Sequence, residues 1–225
     1  MAEITTVTFF NFKKNRFWAF QQMGRAPSQM KNLEGLSFFK FLGTGGGNGF
    51  SLWPDFSTYA FLGVWDSAAV FEQTFQQHPL FQSYFSKASH TRTLVLSPIA
   101  SHGKWSGQNP FQPISTAEDI SPVVIITRAS LRWRKLLSFW KHVPQASQAI
   151  AHAKGVHYFK GIGEWPLVQQ ATLSIWENTE AVHTFAYKSQ DHAQIVKKTK
   201  QQKWYKEDLF ARFQLLSDTQ NSTSA

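Results

Sequence analysis

Cysteine is absent from this 225-residue chain, which excludes disulfides and thiolate chemistry. No run of about 18 apolar residues occurs, so no membrane-crossing helix is expected. The N-terminus lacks the basic-then-apolar pattern of a secretory signal, and the expected location is the cytoplasm. Several catalytic signatures are missing as well. No G-x-G-x-x-G stands between a strand and a helix. The glycine-rich stretch Gly43-Thr-Gly-Gly-Gly-Asn-Gly49 lacks the Lys-Ser/Thr of a phosphate-binding loop and reads as a turn needing positive φ. There is no H-E-x-x-H, no H-x-E…P-C-x-x-C and no G-x-S-x-G. Acidic residues are few: 14 Asp and Glu against 23 Lys and Arg leave a net charge of +9. Such chains can bind nucleic acid or anionic membranes. Here the cations are scattered, and no nucleic-acid partner is expected. The one dense run, Lys197-Lys-Thr-Lys-Gln-Gln-Lys203, reads as a solvated helix face. Peripheral contact at the inner face of a membrane is the alternative for that charge.

What the chain has in surplus is aromatic area, with Phe 21 and Trp 9 in a sequence that is 42% hydrophobic. That suffices for one sizeable domain or two small ones sharing a core. Rings in this number also suit a pocket for a large apolar or conjugated ligand.

The same order of elements occurs twice. Residues 4–12 read as a strand and 16–30 as a helix with Phe17, Phe20, Gln21 and Gly24 along one face. Residues 36–42 and 58–65 read as strands. A helix follows from Asp66 or Ser67, both good caps, then a strand over 90–97. The stretch 98–122 holds Pro98, Pro110, Pro113 and Pro122 with little periodicity and reads as a linker. The order then repeats: strand 123–127, helix 131–143 stopped by Pro144, strands 156–161 and 168–176, a helix from Asn178, and strand 209–216. Each βαββαβ unit is ferredoxin-like. The expected fold is α+β, with tandem ferredoxin-like (βαββαβ)2 repeats over 1–97 and 123–217. They would form an α+β barrel with helices outside, joined by the 98–122 linker and followed by a flexible tail over 218–225.

The two copies differ at one telling place. Aligning Trp65 with Trp176 gives an offset of 111 (176 − 65), which sets His192 opposite Phe81 and Gln190 opposite Pro79. Proline favours the first position of a helix. Ser189 would then be an N-cap, with His192 in the first turn of a new helix. The helix dipole there disfavours imidazolium and leaves the neutral ring that a metal requires. A core histidine bonded to backbone is the alternative. On the preceding strand, Gln170, Thr172, Ser174 and Trp176 share one face by period two. They match Tyr59, Phe61, Gly63 and Trp65. The other row, Ala171, Leu173 and Ile175, matches Ala60, Leu62 and Val64 and reads as barrel core. The row that turns polar lies in the half that carries His192. This fits a cofactor cleft between sheet and helix, or else a solvent-facing row. His152 and His157 are too loosely spaced for a metal pair, His183 reads as exposed, and Glu164 reads as a carboxylate that ties down a turn, with an acid or base role as the alternative.

Several stretches, in order, resemble the spheroidene monooxygenase family, the acyclic carotenoid 2-ketolases. They are Gln22-Met-Gly24, Gly103-Lys-Trp-Ser-Gly-Gln-Asn-Pro-Phe111, Thr127-Arg-Ala129, Ser138-Phe-Trp-Lys-His-Val-Pro144, Gly161-Ile-Gly-Glu164, Ser174-Ile-Trp176, His192 and Leu209-Phe-Ala-Arg-Phe213. The resemblance runs from about Val7 to about Leu216. It implies haem b, as in the wider dimeric α/β-barrel haem proteins that include chlorite dismutases, haem-degrading monooxygenases and aldoxime dehydratases. It implies His192 as the iron ligand; without cysteine, only His, Met or Tyr could serve. Gln170, Thr172 or Arg128 would donate a hydrogen bond to bound oxygen. Arg128 or Arg132 would pair with haem propionates, and Ser174 would lie in the cofactor row. The implied reaction hydroxylates carbon 2 of an acyclic carotenoid twice, using O2 and external electrons, and ends in a ketone. The implied partners are a hydrophobic carotenoid-like substrate and an electron donor such as a ferredoxin, with homo-oligomers allowed. Other haem reactions on the same fold (aldoxime dehydration, haem breakdown) and a non-catalytic haem or hydrophobic-ligand carrier are the rival readings.

Overall fold

The computed structural model describes residues 3–47, 53–113, 121–141, 143–165, 167–188, 199 and 201–222. Its strands are β1 (Ile4–Asn11), β2 (Leu36–Gly45), β3 (Pro54–Trp65), β4 (His90–Gly103), β5 (Val123–Leu131), β6 (Val156–Trp165), β7 (Gln169–Trp176) and β8 (Tyr205–Ser222). They close an antiparallel barrel in the order β1-β3-β2-β6-β7-β5-β8-β4. Each half keeps the ferredoxin-like order, β4-β1-β3-β2 and β8-β5-β7-β6, so the expected α+β barrel is what forms. The two joins are unequal. β4 and β8 pair continuously from His90↔Ser222 to Gly103↔Leu209. β2 and β6 meet only at Gly43↔Gly163 and Thr44↔Ile162.

Strand alternation sorts the side chains into two layers. The inward row of β3 (Ala60, Leu62, Val64) and that of β7 (Ala171, Leu173, Ile175) meet in one buried core inside the barrel. Each large aliphatic side chain buried there contributes about 1.5–3 kcal/mol. The outward rows face the helices. On the first half lie α1 (Arg16–Met30), α2 (Ala68–Gln77) and α3 (Pro79–Lys87). Ser67 caps α2 by accepting from the Val70 N–H, and His78 caps α3 with Pro79 at its first turn. On the second half lie α4 (Leu136–Trp140), α5 (Val143–Ala151) and α6 (Thr179–His183). A 3-10 turn over Trp133–Lys135 precedes α4, and a π-helical turn over Thr184–Lys188 follows α6. Asn178 caps α6 through the Ala181 N–H, 2.8 Å. No helix among the described residues is long and apolar enough to cross a membrane.

Four sequence expectations change. The 98–122 stretch is not only a linker. β4 runs on to Gly103, past Pro98, because the register shifts between Pro98 and Ala100 and spares the missing N–H. Beyond it, Trp105 and Phe111 are fully buried in the barrel core. They pack against Phe38 (5.8 Å between ring centres) and Phe213 (5.0 Å) and plug one mouth. The tail is not frayed from Asp218 either. β8 continues to Ser222 along β4, and Arg92 clamps Asp218 at 2.7 Å. In α1 the buried face is Ala19, Gln22, Ala26 and Met30, while Phe17 and Phe20 point outward. The rings of Phe12, Phe41 and Tyr59 already fill the layer beneath, so the helix presents its small side. Pro144 does not stop a helix; it falls in the first turn of α5, where its missing N–H is harmless.

Candidate active site

The sequence offset survives in three dimensions. Trp65 and Trp176 each close their strand, pairing with Ile4 and Leu36 in one half and with Val123 and Val156 in the other. Moving down the outward face from each tryptophan gives unlike floors. In the first half Phe41 pairs with Phe61 across the ladder, rings 5.0 Å apart. Phe61 lies 5.0 Å from Phe81, which stacks on Phe75 at 4.2 Å. In the second half the pair equivalent to Phe41 and Phe61 is Gly161 and Thr172. Two phenyl rings are replaced by a hydrogen atom and a hydroxyethyl group.

The packing follows. The helix-facing layer of the first half is one continuous aromatic cluster. Among the described residues, that of the second half is split. One piece holds Val123, Ile125, Trp176 and Val182. The other holds Leu131, Phe139, Trp140, Val143 and Trp204. Along β5 the gap between them falls at Thr127, which is exposed and pairs directly with Thr172. The Thr172 hydroxyl is itself buried and makes no hydrogen bond among the described residues. Leaving a buried hydroxyl unsatisfied costs about 1–3 kcal/mol. A small-residue floor with an orphaned hydroxyl fits a flat prosthetic group lying between sheet and helices.

The other expected site residues divide. Ser174 is engaged: its hydroxyl accepts from the Trp176 indole N–H at 2.8 Å, as Thr6 accepts from Trp65 at 2.8 Å in the first half. It braces the tryptophan and offers the cleft little. Gln170 lines a groove of about 400 Å³ on the β2–β6 seam, with Phe20, Met23, Tyr59, Ile162 and Trp165. Tyr59 is the first-half equivalent of Gln170, so the groove lies across the join of the two halves. The Tyr59 hydroxyl is buried there without a partner among the described residues. Arg132 follows β5, tied by its Nε to the Tyr205 carbonyl at 3.1 Å. It borders a hollow of about 280 Å³ with Trp133, Trp165 and Lys206. His192, its expected cap Ser189, and Lys197, Lys198 and Lys200 of the lysine run lie outside the described residues.

Arg128 does not join Gln170 and Thr172. It pairs with Ala171 and shares the inward row of Val124 and Ile126, so its guanidinium enters the barrel. There it pairs with Glu207 and lies 3.6 Å from Glu164 and 5.7 Å from the Trp105 ring centre. Glu164 is the hub. It accepts from the Trp105 indole N–H at 2.6 Å and from Lys40 at 2.6 Å, and Lys40 also donates to Ser106 at 2.8 Å. Glu207 accepts from the backbone N–H groups of Ser106 (3.0 Å) and Gly107 (2.8 Å). Burial would raise the Glu207 pKa; these N–H groups and Arg128 overcome it and hold the carboxyl below its ordinary range. Three separated stretches, 103–111, 127–129 and 161–164, thus converge on one barrel mouth. The sequence favours a turn-tying role for Glu164, singles out Trp105 only as part of the 103–111 stretch, and does not single out Lys40 or Glu207. A signal existed: Lys40, Arg128 and Glu207 each stand in line with apolar inward residues of their strands.

Two ferredoxin-like halves closed into one barrel, with helices outside, define the chain as a dimeric α/β-barrel protein with both halves in a single polypeptide. Two crystal structures of aldoxime dehydratases match it in fold. One superposes with a TM-score of 0.60 at 8% identity, covering 95% of this chain and 80% of that one. The other, in complex with butyraldoxime, gives 0.60 and 8% over 95% and 79%. No family model matches the sequence. Individual relatives do. The spheroidene monooxygenase of Cereibacter sphaeroides is 33% identical over 217 residues, 95% of this chain and 67% of the relative. That of Rhodobacter capsulatus is 32% identical over 88% and 83%, and that of Rubrivivax gelatinosus 27% over 90% and 77%. The chain belongs to the spheroidene monooxygenase family.

Proposed function

We propose that this chain is a haem-dependent monooxygenase that oxidises an acyclic carotenoid at carbon 2 to a ketone. The observation that carries the reading is the replacement, on one helix-facing layer, of Phe41, Phe61 and Phe81 by Gly161, Thr172 and, by the 111-residue offset, His192. A layer packed with rings in one half becomes, in the other, a floor of small residues, and the sequence offset matches His192 to Phe81. The names of the relatives supply the substrate class.

In this reading His192 is the iron ligand and Arg132 pairs with a propionate. When bound, haem supplies the activation of O2. Each hydroxylation consumes one O2, two electrons and two protons and releases one water. The second yields a gem-diol, which loses water to the ketone. The electrons come from a donor such as a ferredoxin. The chain's own contribution is placement. Gly161 and Thr172 keep the floor flat, and the Thr172 hydroxyl offers a hydrogen bond within it. The seam groove takes one apolar end of the polyene, and Gln170 stands between that groove and Thr172 on the outward row of β7.

The test is the visible spectrum of the haem-loaded protein, wild type against His192→Ala, followed by turnover. A Soret band that the substitution removes is expected, as is a ketone product from an acyclic carotenoid given reductant and O2. Failure of the wild type to give a Soret band on haem addition would end the haem reading. Turnover of an aldoxime without reductant would move the chain to the dehydratase reaction.

A further inference from the structure

The seam groove opens onto a face with an unusual share of exposed apolar side chains. Trp165 (63% exposed) lines both that groove and the neighbouring hollow, which Trp133 (69%) borders from the far side. Leu137, four residues after Trp133, is 91% exposed. On the groove's other bank, Phe20 and Phe56 are more than half exposed and touch edge to face, ring centres 6.0 Å apart. These side chains come from α1, β3, the end of β6, the turn leading into α4, and α4 itself. Contiguous exposed apolar area of this kind marks an interaction surface.

The charge of the hollow is one-sided, whereas the groove beside it also carries Asp55 and Glu164, paired with Lys160 and Lys40. The charged residues lining the hollow are Arg132 and Lys206. The turn that carries Trp133 reads Arg132-Trp-Arg-Lys135, and residues 120–163 contain no Asp or Glu at all. Protruding tryptophan and leucine among unpaired-sign cations is the pattern of an interfacial membrane contact: indole rings sit at the headgroup level while cations meet lipid phosphates. We propose that this face docks on an anionic lipid surface, with Trp133 and Leu137 entering the interfacial layer and Arg134 and Lys206 against the phosphates. Docked so, the mouth of the seam groove faces the bilayer. The benefit to catalysis rests on the carotenoid reading above; the docking itself does not.

Co-sedimentation with vesicles tests it, using phosphatidylcholine alone against phosphatidylcholine with about one-third phosphatidylglycerol. The wild type is expected to sediment with the anionic vesicles and to be released by high salt. Trp133→Ala/Leu137→Ser and, separately, Arg134→Glu/Lys206→Glu should each weaken that partition about tenfold or more, with unchanged circular dichroism, because all four side chains are exposed. Wild type that stays in the supernatant overturns the proposal. So do variants that sediment as well as the wild type, which would move the contact to another surface. A third overturning result is light scattering showing that the same substitutions dissolve a dimer rather than release lipid. None of these readouts uses haem or turnover. A Soret band and ketone formation on detergent-dispersed substrate would survive the failure of this proposal, and lipid binding would survive the failure of the haem reading.

Discussion

The two helix-facing layers of this barrel rest on the same strand order and have diverged in opposite directions. In the first half Phe61 is surrounded by rings, with Phe41, Phe75 and Phe81 all within 6.2 Å between centres. In the second, its equivalent Thr172 carries a buried hydroxyl with no partner among the described residues. The inward rows of β3 and β7 did not diverge, since both must fill one shared interior. On these two strands the change is confined to the outer faces. One face can hold the fold while the other gives up packing for a site.

The strongest way to break that contrast is to make each half imitate the other. Phe61→Ala should cost about 3–5 kcal/mol in urea unfolding, the range for deleting a buried ring. Thr172→Phe should leave the haem-free protein at close to wild-type stability and abolish haem uptake. If the two substitutions destabilise equally, the second layer is as tightly packed as the first and the cleft is wrong.

A second contrast lies at the plugged barrel mouth. Its ionic network draws Arg128, Glu164 and Glu207 from the second half and only Lys40 from the first. Glu164→Leu leaves the 2%-exposed Arg128 and Lys40 short of a partner and should cost about 3 kcal/mol. Acid should find the same spot by way of Glu207. Its folded-state pKa is lowered, so its contribution is present above the ordinary carboxylate range and is lost as pH falls through the lowered value. The thermal midpoint should drop steeply below about pH 4, and Glu207→Gln should flatten that part of the profile. An unchanged acid limb in the variant would remove Glu207 from the account.

Alternation made the barrel legible. Period-two rows such as Ala171, Leu173 and Ile175 declare which side faces inward, and the repeated Trp65 and Trp176 fix the offset between copies. The helix faces were less legible. Hydrophobicity favours Phe17 and Phe20 for the buried side of α1, and only the crowding beneath turns that helix to Ala19, Gln22, Ala26 and Met30. The barrel plug could not be foreseen, because the side chains that receive Trp105 and Phe111 come from strands far along the chain. At the site, parity already separates Arg128 from Thr172 by one position in the β5–β7 register (Arg128 opposite Ala171, Thr127 opposite Thr172). Chemical suitability for haem hid that simple count. The reverse held for Glu164, where a local turn motif obscured a long-range ion pair.

The smallest expected effect is the most discriminating, because its sign should reverse. Thr172→Val keeps the shape of the side chain and removes the orphaned hydroxyl. In the haem-free protein this relieves an unsatisfied buried group, and stability should hold or rise by up to about 1 kcal/mol. In the haem-loaded protein the same change removes a hydrogen-bonding group from the floor of the cleft, and haem should dissociate a few-fold faster. The matched Phe61→Leu in the first half has no such second state and should cost stability whether or not haem is present. A Thr172→Val variant that loses stability without haem would mean that the hydroxyl already has a partner within the fold. The orphaned atom would then say nothing about a bound group.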